Sequence, residues 1–163
     1  MSTEPAGSEF RFEKRRADAV VTLSNGQSVH GSFFISLGSA IDGGPERVGD
    51  LLNLETGFFP FETRDQPGSR TVLINRANLV SVALADREAS RDPGYEVATR
   101  RVVSMLLSTG GRVTGAVRVY RPEGRDRLSD WTRQPEIFRY VETDTLTIIV
   151  NTAHIVEVIE VSA

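Results

Sequence analysis

The sequence predicts a mainly β chain: two small five-stranded bent barrels in tandem, each with a short helical insertion. Three observations carry this expectation. Segments of the first half recur in order in the second. Apolar residues alternate with period two, as in half-buried strands. Glycine-bearing turns punctuate those alternating runs. The recurrence is the firmest of the three. Residues 24–31 (Ser-Asn-Gly-Gln-Ser-Val-His-Gly) line up with 108–115 (Ser-Thr-Gly-Gly-Arg-Val-Thr-Gly) at an offset of 84. Residues 47–50 line up with 127–130 at an offset of 80, and 74–80 with 150–156 at 76. The second copy is therefore shorter by four residues at each of two places, around 38–45 and 65–70. Both read as loops, where insertions are tolerated. The parse is a polar tail (1–15), a first copy (16–85), a polar linker (86–94) and a second copy (95–161). Gly7-Ser8-Glu9-Phe10 reads as a cloning remnant and carries no functional weight.

Each element follows in order. Ala17, Ala19, Val21 and Leu23 alternate as one strand. Asn25-Gly26 predicts a two-residue type I′ hairpin turn. Val29, Gly31, Phe33 and Ile35 line one face of the return strand. In the second copy, residues 102–107, the Gly110-Gly111 turn and residues 113–120 repeat the hairpin. Val48, Leu51 and Leu52 share a helical face, with Leu128 and Trp131 as counterparts. Residues 58–61 and 137–141 are third strands, 72–75 and 146–151 fourth strands, and 79–84 and 155–161 fifth strands. Five strands in about 70 residues predict closure, which hides edges and the apolar face together. Asp50 and Asp130 are read as helix-cap or first-turn carboxylates. Asn75 and Asn151 are read as serving the tight turn before the last strand.

This arrangement resembles the Sm-like (LSm) fold. The hairpin of residues 21–31 is similar to the family's first motif. Ile74-Asn75-Arg76-Ala77-Asn78-Leu79-Val80 is similar to its second, Ile-Arg-Gly-x-Asn-Ile-Val. Residues 47–53 and 58–61 also resemble an Arg-[Val/Leu]-x-Asp-Leu-Leu-Asn … Phe-x-Pro segment of uncharacterised bacterial Sm-like proteins. The resemblance implies barrels that assemble by pairing edge strands, and RNA binding. The residues depart from the second implication. Asn75 and Asn151 stand where the family has its Arg, Arg76 and Thr152 stand where it has Gly, and the Asp-x-x-x-Asn loop motif is absent. A weaker resemblance is to PilZ domains. Arg11 and Arg15 have the Arg-x-x-x-Arg spacing that holds a cyclic dinucleotide phosphate, with Arg16 adjacent, since Arg forks pair with phosphate bidentately. Phe34 stands where PilZ needs Asp.

Composition narrows the function. The chain has 163 residues, no Cys, two His, and 19 basic against 22 acidic side chains. Disulfides, thiolate metal sites and a Cys nucleophile are excluded, and an N/S-ligated metal site is not expected. No cofactor motif appears, and neither His30 nor His154 has a His counterpart in the other copy. No apolar run is long enough to span a membrane, and no secretory leader is expected. Eighteen of the basic residues are Arg, Lys14 being the exception. Residues 91–133 hold nine Arg and five acids, a local charge of +4; residues 134–163 hold one and five, a local charge of -4. Arg118, Arg121, Arg125 and Arg127, with Tyr120, therefore form a candidate RNA surface of phosphate contacts and stacking. The reading is a non-catalytic, cytoplasmic bacterial binding and assembly module acting through protein–protein contacts or self-association. RNA binding through the Arg-rich loop is the first alternative. Cyclic dinucleotide sensing through Arg11, Arg15 and Arg16 is the second.

Overall fold

The computed structural model describes residues 14–37, 46–65 and 67–161. Arg11 lies outside them. The first half runs β1 (Lys14–Leu23), β2 (Ser28–Ser36), α1 (Val48–Leu54), β3 (Phe58–Thr63), β4 (Arg70–Asn75) and β5 (Leu79–Leu84). The second runs β6 (Thr99–Leu107), β7 (Arg112–Val119), α2 (Leu128–Thr132), β8 (Phe138–Glu142), β9 (Thr147–Asn151) and β10 (Ile155–Glu160). A 3-10 turn bridges the last two strands of each half, at Arg76–Asn78 and Thr152–His154. Neither α-helix is long and apolar enough to cross a membrane.

The period-two expectation places the core. Ala17, Ala19, Val21, Val29, Phe33 and Ile35 are buried, while His30 between them is exposed. The hairpin turn differs from type I′. Gly26 N–H donates to Leu23 O and Leu23 N–H to Gln27 O, with φ +87° at Gly26 alone. This is a three-residue loop, a type I turn closed by a left-handed glycine. Gly110 repeats it, with φ +91° and the bonds Gly110 N–H to Leu107 O and Leu107 N–H to Gly111 O.

The strands are antiparallel and form one sheet in the order β10-β6-β7-β8-β9-β5-β1-β2-β3-β4. This corrects the expectation of two closed barrels. The strand that would have to close the first half, β5, pairs on one side with β1 and on the other with β9. With that edge used between halves, neither half closes on itself, and β4 and β10 remain as open edges. Within each half the order is the same, fifth strand beside first, then second, third and fourth. The linker is also more than a polar spacer. It carries 3-10 turns at Glu88–Arg91 and Tyr95–Val97, and Glu88 and Ala89 are buried.

The halves repeat at the level of atoms. A Cβ at Gly31 would lie 2.0 Å from the carbonyl oxygen of Glu62, and one at Gly115 2.6 Å from that of Glu142. Both glycines admit the third strand onto the second, which a side chain would hold away. Gly31→Ala is expected to cost about 1–3 kcal/mol, the usual penalty for overpacking a site that cannot yield. Calorimetric melting that left the transition temperature unchanged would contradict this close approach.

Candidate functional site

The join between the halves holds most of the polar chemistry. β5 and β9 pair in the register Ser81↔Val150, Val82↔Ile149, Ala83↔Ile148 and Leu84↔Thr147. The cores interlock across it. Phe138 and Ile149 of the second half pack into the first core, and Val80 of the first half packs into the second. Helix α1 lies beside β8. The Asn53 amide donates to Phe138 O at 2.8 Å and accepts from Phe138 N–H at 2.9 Å, standing in for a neighbouring strand.

The linker clamps this joint. The buried Glu88 carboxylate accepts from Val48 N–H at 2.9 Å and from Tyr140 Oη–H at 3.0 Å. Arg47 donates to Asp50 at 2.9 Å and to Asp92, and its guanidinium lies over the Tyr140 ring. Tyr120 Oη–H donates to Asp92 at 2.9 Å. Burial pushes the Glu88 carboxyl and the Tyr120 and Tyr140 hydroxyls up. The cleft between the halves is lined by four carboxylates (Asp50, Asp92, Glu136 and Glu142) and four guanidiniums (Arg47, Arg118, Arg121 and Arg139), so it is close to balanced in charge. Its volume is about 630 Å³. A second cleft of about 600 Å³ lies on the other side of the Asn53–Phe138 contact. Here residues 52–57 of the first half face residues 135–138 of the second.

The predicted RNA residues separate into two groups. Arg118 and Tyr120 are half-buried and committed within the protein. Arg118 stacks 4.1 Å from the Tyr95 ring centroid, donates to Tyr95 Oη and lies 3.9 Å from Glu142. Arg121, Arg125 and Arg127 are exposed. Arg121 lines the lip of the first cleft, and Arg127 pairs with Asp130 at 3.3 Å. Of the phosphate candidates, Arg16 pairs with Glu62 at 2.8 Å and Arg15 lies 3.9 Å from Asp86. The cap and turn residues recur in pairs. Asp50 and Asp130 accept from the N–H of Arg47 and Arg127, and Asn75 and Asn151 accept from that of Ala77 and Ala153. Backbone bonding at Arg127 holds the Asp130 carboxyl below the usual range. His154 Nε2–H donates to Ala77 O across the joint at 2.8 Å, which makes Nδ1 the acceptor for Ser108 Oγ–H. Among the described residues, no three His, Asp or Glu gather as a metal site.

Sequence reasoning missed Asn53, Glu88, Asp92 and Arg139. Glu88 and Asp92 sit in a run that reads as solvated. Arg139 left a signal: a single cation inside the apolar run Ile137-Phe138-Arg139-Tyr140-Val141. It is buried, stacks on Trp131 at 4.7 Å, and donates to the carbonyls of Trp131, Thr132, Gln134 and Glu136.

The two ends of the sheet are the reverse of the joint. Phe58 is 61% exposed, whereas its counterpart Phe138 is 5% exposed. Leu73 is 68% exposed against 1% for Ile149, and Val156 65% against 0% for Val80. No family profile, curated protein or solved structure matches the chain.

The clamp makes a pH prediction. Burial raises the Glu88 carboxyl above its unfolded value, so the stability it contributes is full below about pH 4.3. That contribution is lost as pH rises through the higher folded value. In Glu88→Gln the amide oxygen accepts from Val48 N–H, and no proton is gained or lost. The stability of the wild type relative to Glu88→Gln, from urea melts, is therefore expected to fall as pH rises above the ordinary glutamate range. A difference that stays flat with pH would show that Glu88 is not desolvated.

Proposed function

We propose that the chain is a non-catalytic binding and assembly module that acts through protein–protein contacts at the two open edges of its sheet. One observation carries this reading. The apolar side chains exposed on β3, β4 and β10 are the counterparts of those that the internal joint buries. Single exposed apolar residues need no explanation. Three that match the buried set of an existing interface, two of them on the edge strands β4 and β10, form a surface prepared for strand addition. In this reading each half is one Sm-like unit of a tandem pair. The shared strand order and the repeated glycine, cap and turn contacts support it, and so does the family resemblance. Much of the cleft's ionisable chemistry supports the non-catalytic part: Arg47, Asp50, Asp92, Arg118 and Glu142 are committed within the protein.

Sedimentation velocity over the micromolar range tests the reading. The purified chain is expected to assemble with rising concentration, and Leu73→Asp, a change at an exposed position, to lower the assembled fraction. A wild-type chain that stays monomeric throughout, and that sediments identically to Leu73→Asp, would sink it.

A second reading, RNA binding, rests on the exposed Arg121, Arg125 and Arg127 on the loop before α2. Phosphate contacts of this kind are salt-dependent. A gel shift with oligo(U) or oligo(A) is expected to weaken on Arg121→Ala with Arg125→Ala. Absence of any shift at low salt would remove this reading.

A further inference from the structure

The cleft of about 630 Å³ is walled by helix α1, the linker, β7, β8 and the loop that leaves β7. Its volume lies in the range of pockets that hold small organic molecules, roughly 300–1,000 Å³. Tyr120, Trp131, Phe138 and Tyr140 line it, together with Pro93 and Pro135. Rings on several walls suit a flat apolar body.

The repeat marks the same positions. At close approaches, caps and turns the halves keep one residue type: Gly31 and Gly115, Asp50 and Asp130, Asn75 and Asn151. Along the cleft they do not. Tyr120, Trp131 and Tyr140 are three rings where the first half has Ser36, Leu51 and Pro60.

The charged groups sort by depth. The side chains of Asp50, Asp92 and Glu142 are only 15%, 20% and 10% exposed. Each is engaged: Asp50 and Asp92 by Arg47, Asp92 also by Tyr120, and Glu142 by Tyr95. Arg139 gives its donors to carbonyls, and the Glu136 carboxylate offsets its charge. Arg121, at the lip, is exposed and has neither an ion pair nor a hydrogen bond among the described residues. An anionic group carried deep would meet the inner carboxylates, whereas one held at the lip meets Arg121. A cationic ligand would meet Arg121 on entry and be repelled.

We infer that the cleft binds a small planar aromatic anion, its ring inward among Tyr120, Trp131 and Phe138 and its carboxylate or phosphate on Arg121. The guanidinium fork matches either oxyanion. The open edges of the sheet take no part, so this binding holds whether or not the chain assembles.

The chain has one Trp, so a single indole N–H peak in a proton–nitrogen correlation spectrum reports on the cleft wall. Titration with millimolar benzoate or phenyl phosphate is expected to move that peak saturably. The two share a ring, so the tighter binder tells a carboxylate ligand from a phosphate monoester. Arg121→Ala is expected to weaken that binding roughly tenfold, the size of one charge-assisted hydrogen bond. Arg121 is exposed, so the variant keeps the fold. Arg125→Ala is expected to bind like the wild type, since Arg125 does not line the cleft. Benzyl alcohol, with the ring and no charge, is expected to bind more weakly and to be indifferent to Arg121→Ala. A peak that stays still with both anions would overturn the inference, and so would acetate or inorganic phosphate moving it as far as their ring-bearing counterparts. Equal weakening by Arg125→Ala and Arg121→Ala would also overturn it, by assigning the binding to the diffuse charge of the loop.

Discussion

The pairing of β5 with β9 is the contact on which the rest of the molecule depends. Each half is too small to shield both of its sheet edges, and unpaired strand edges are costly to leave apolar and exposed. Joining the halves satisfies one edge of each. It also lets Val80, Phe138 and Ile149 cross into the neighbouring core, so neither core is complete in its own half. The linker then has a fixed path to follow, and its Glu88 and Asp92 become ligands of the joint. Even the helix depends on the strand pairing, because Glu88 and Phe138 reach α1 only when β8 and β9 are in place.

Below the joint, a demand common to both halves is met from different positions. The end of a short helix leaves carbonyls without partners. In the first half, Arg76 from the turn after β4 donates to Leu51 O, Thr56 O and Phe58 O and lies over the Phe59 ring. In the second half that turn position is Thr152, and Arg139 from β8 supplies the guanidinium. It reaches Trp131 O, the counterpart of Leu51 O. Phe59, in turn, is the first-half counterpart of Arg139. The guanidinium has moved from the turn after the fourth strand to the third strand, and its ring partner from Phe59 to Trp131. Desolvation lowers both guanidinium pKa values, yet each stays charged because arginine titrates so far above neutrality. Several carbonyl dipoles pointing at one planar cation offset much of its burial. A lysine, with three donors on one atom, does not match that fan of acceptors.

How far the sequence discloses this follows from the range of each interaction. Strand faces, glycine turns and cap residues are local, and their signals lie within a few residues: the Ala17–Val21 alternation, Gly26 and Gly110, Asn75 and Asn151. The recurrence of those signals also discloses the repeat. Closure is a different matter. Whether β5 folds back on its own half or crosses to β9 depends on a comparison of two long-range pairings, and the five-strand count alone suggested barrels. Arg118 and Tyr120 illustrate the same limit. An Arg-rich stretch beside an aromatic reads as a nucleic-acid surface until Tyr95, Asp92 and Glu142 arrive from distant parts of the chain to occupy it. Glu88 left no signal because its burial is created by α1 and β8 together.

The inner joint and the two open edges differ in how their polar groups are held. Separating the inner joint would part the half-buried Tyr140 hydroxyl from the buried Glu88 carboxylate. It would also free the Asn53 amide from the Phe138 backbone. Buried polar groups without partners are costly, so the inner joint is effectively permanent, and one covalent chain keeps it so. The outer surfaces carry none of this. Pro60 stands where Tyr140 stands in the second half and has neither hydroxyl nor N–H to satisfy. Arg133 replaces Asn53 and is solvated, and Arg127, the counterpart of Arg47, is 67% exposed. Glu157 and Glu160 on β10 are held by Arg112 and Arg101, and charges on an edge strand discourage indiscriminate pairing. The open ends therefore present apolar side chains and unpaired strand backbone, with no buried polar group that needs a partner. The same strand positions are thus committed at the centre of the sheet and uncommitted at its ends.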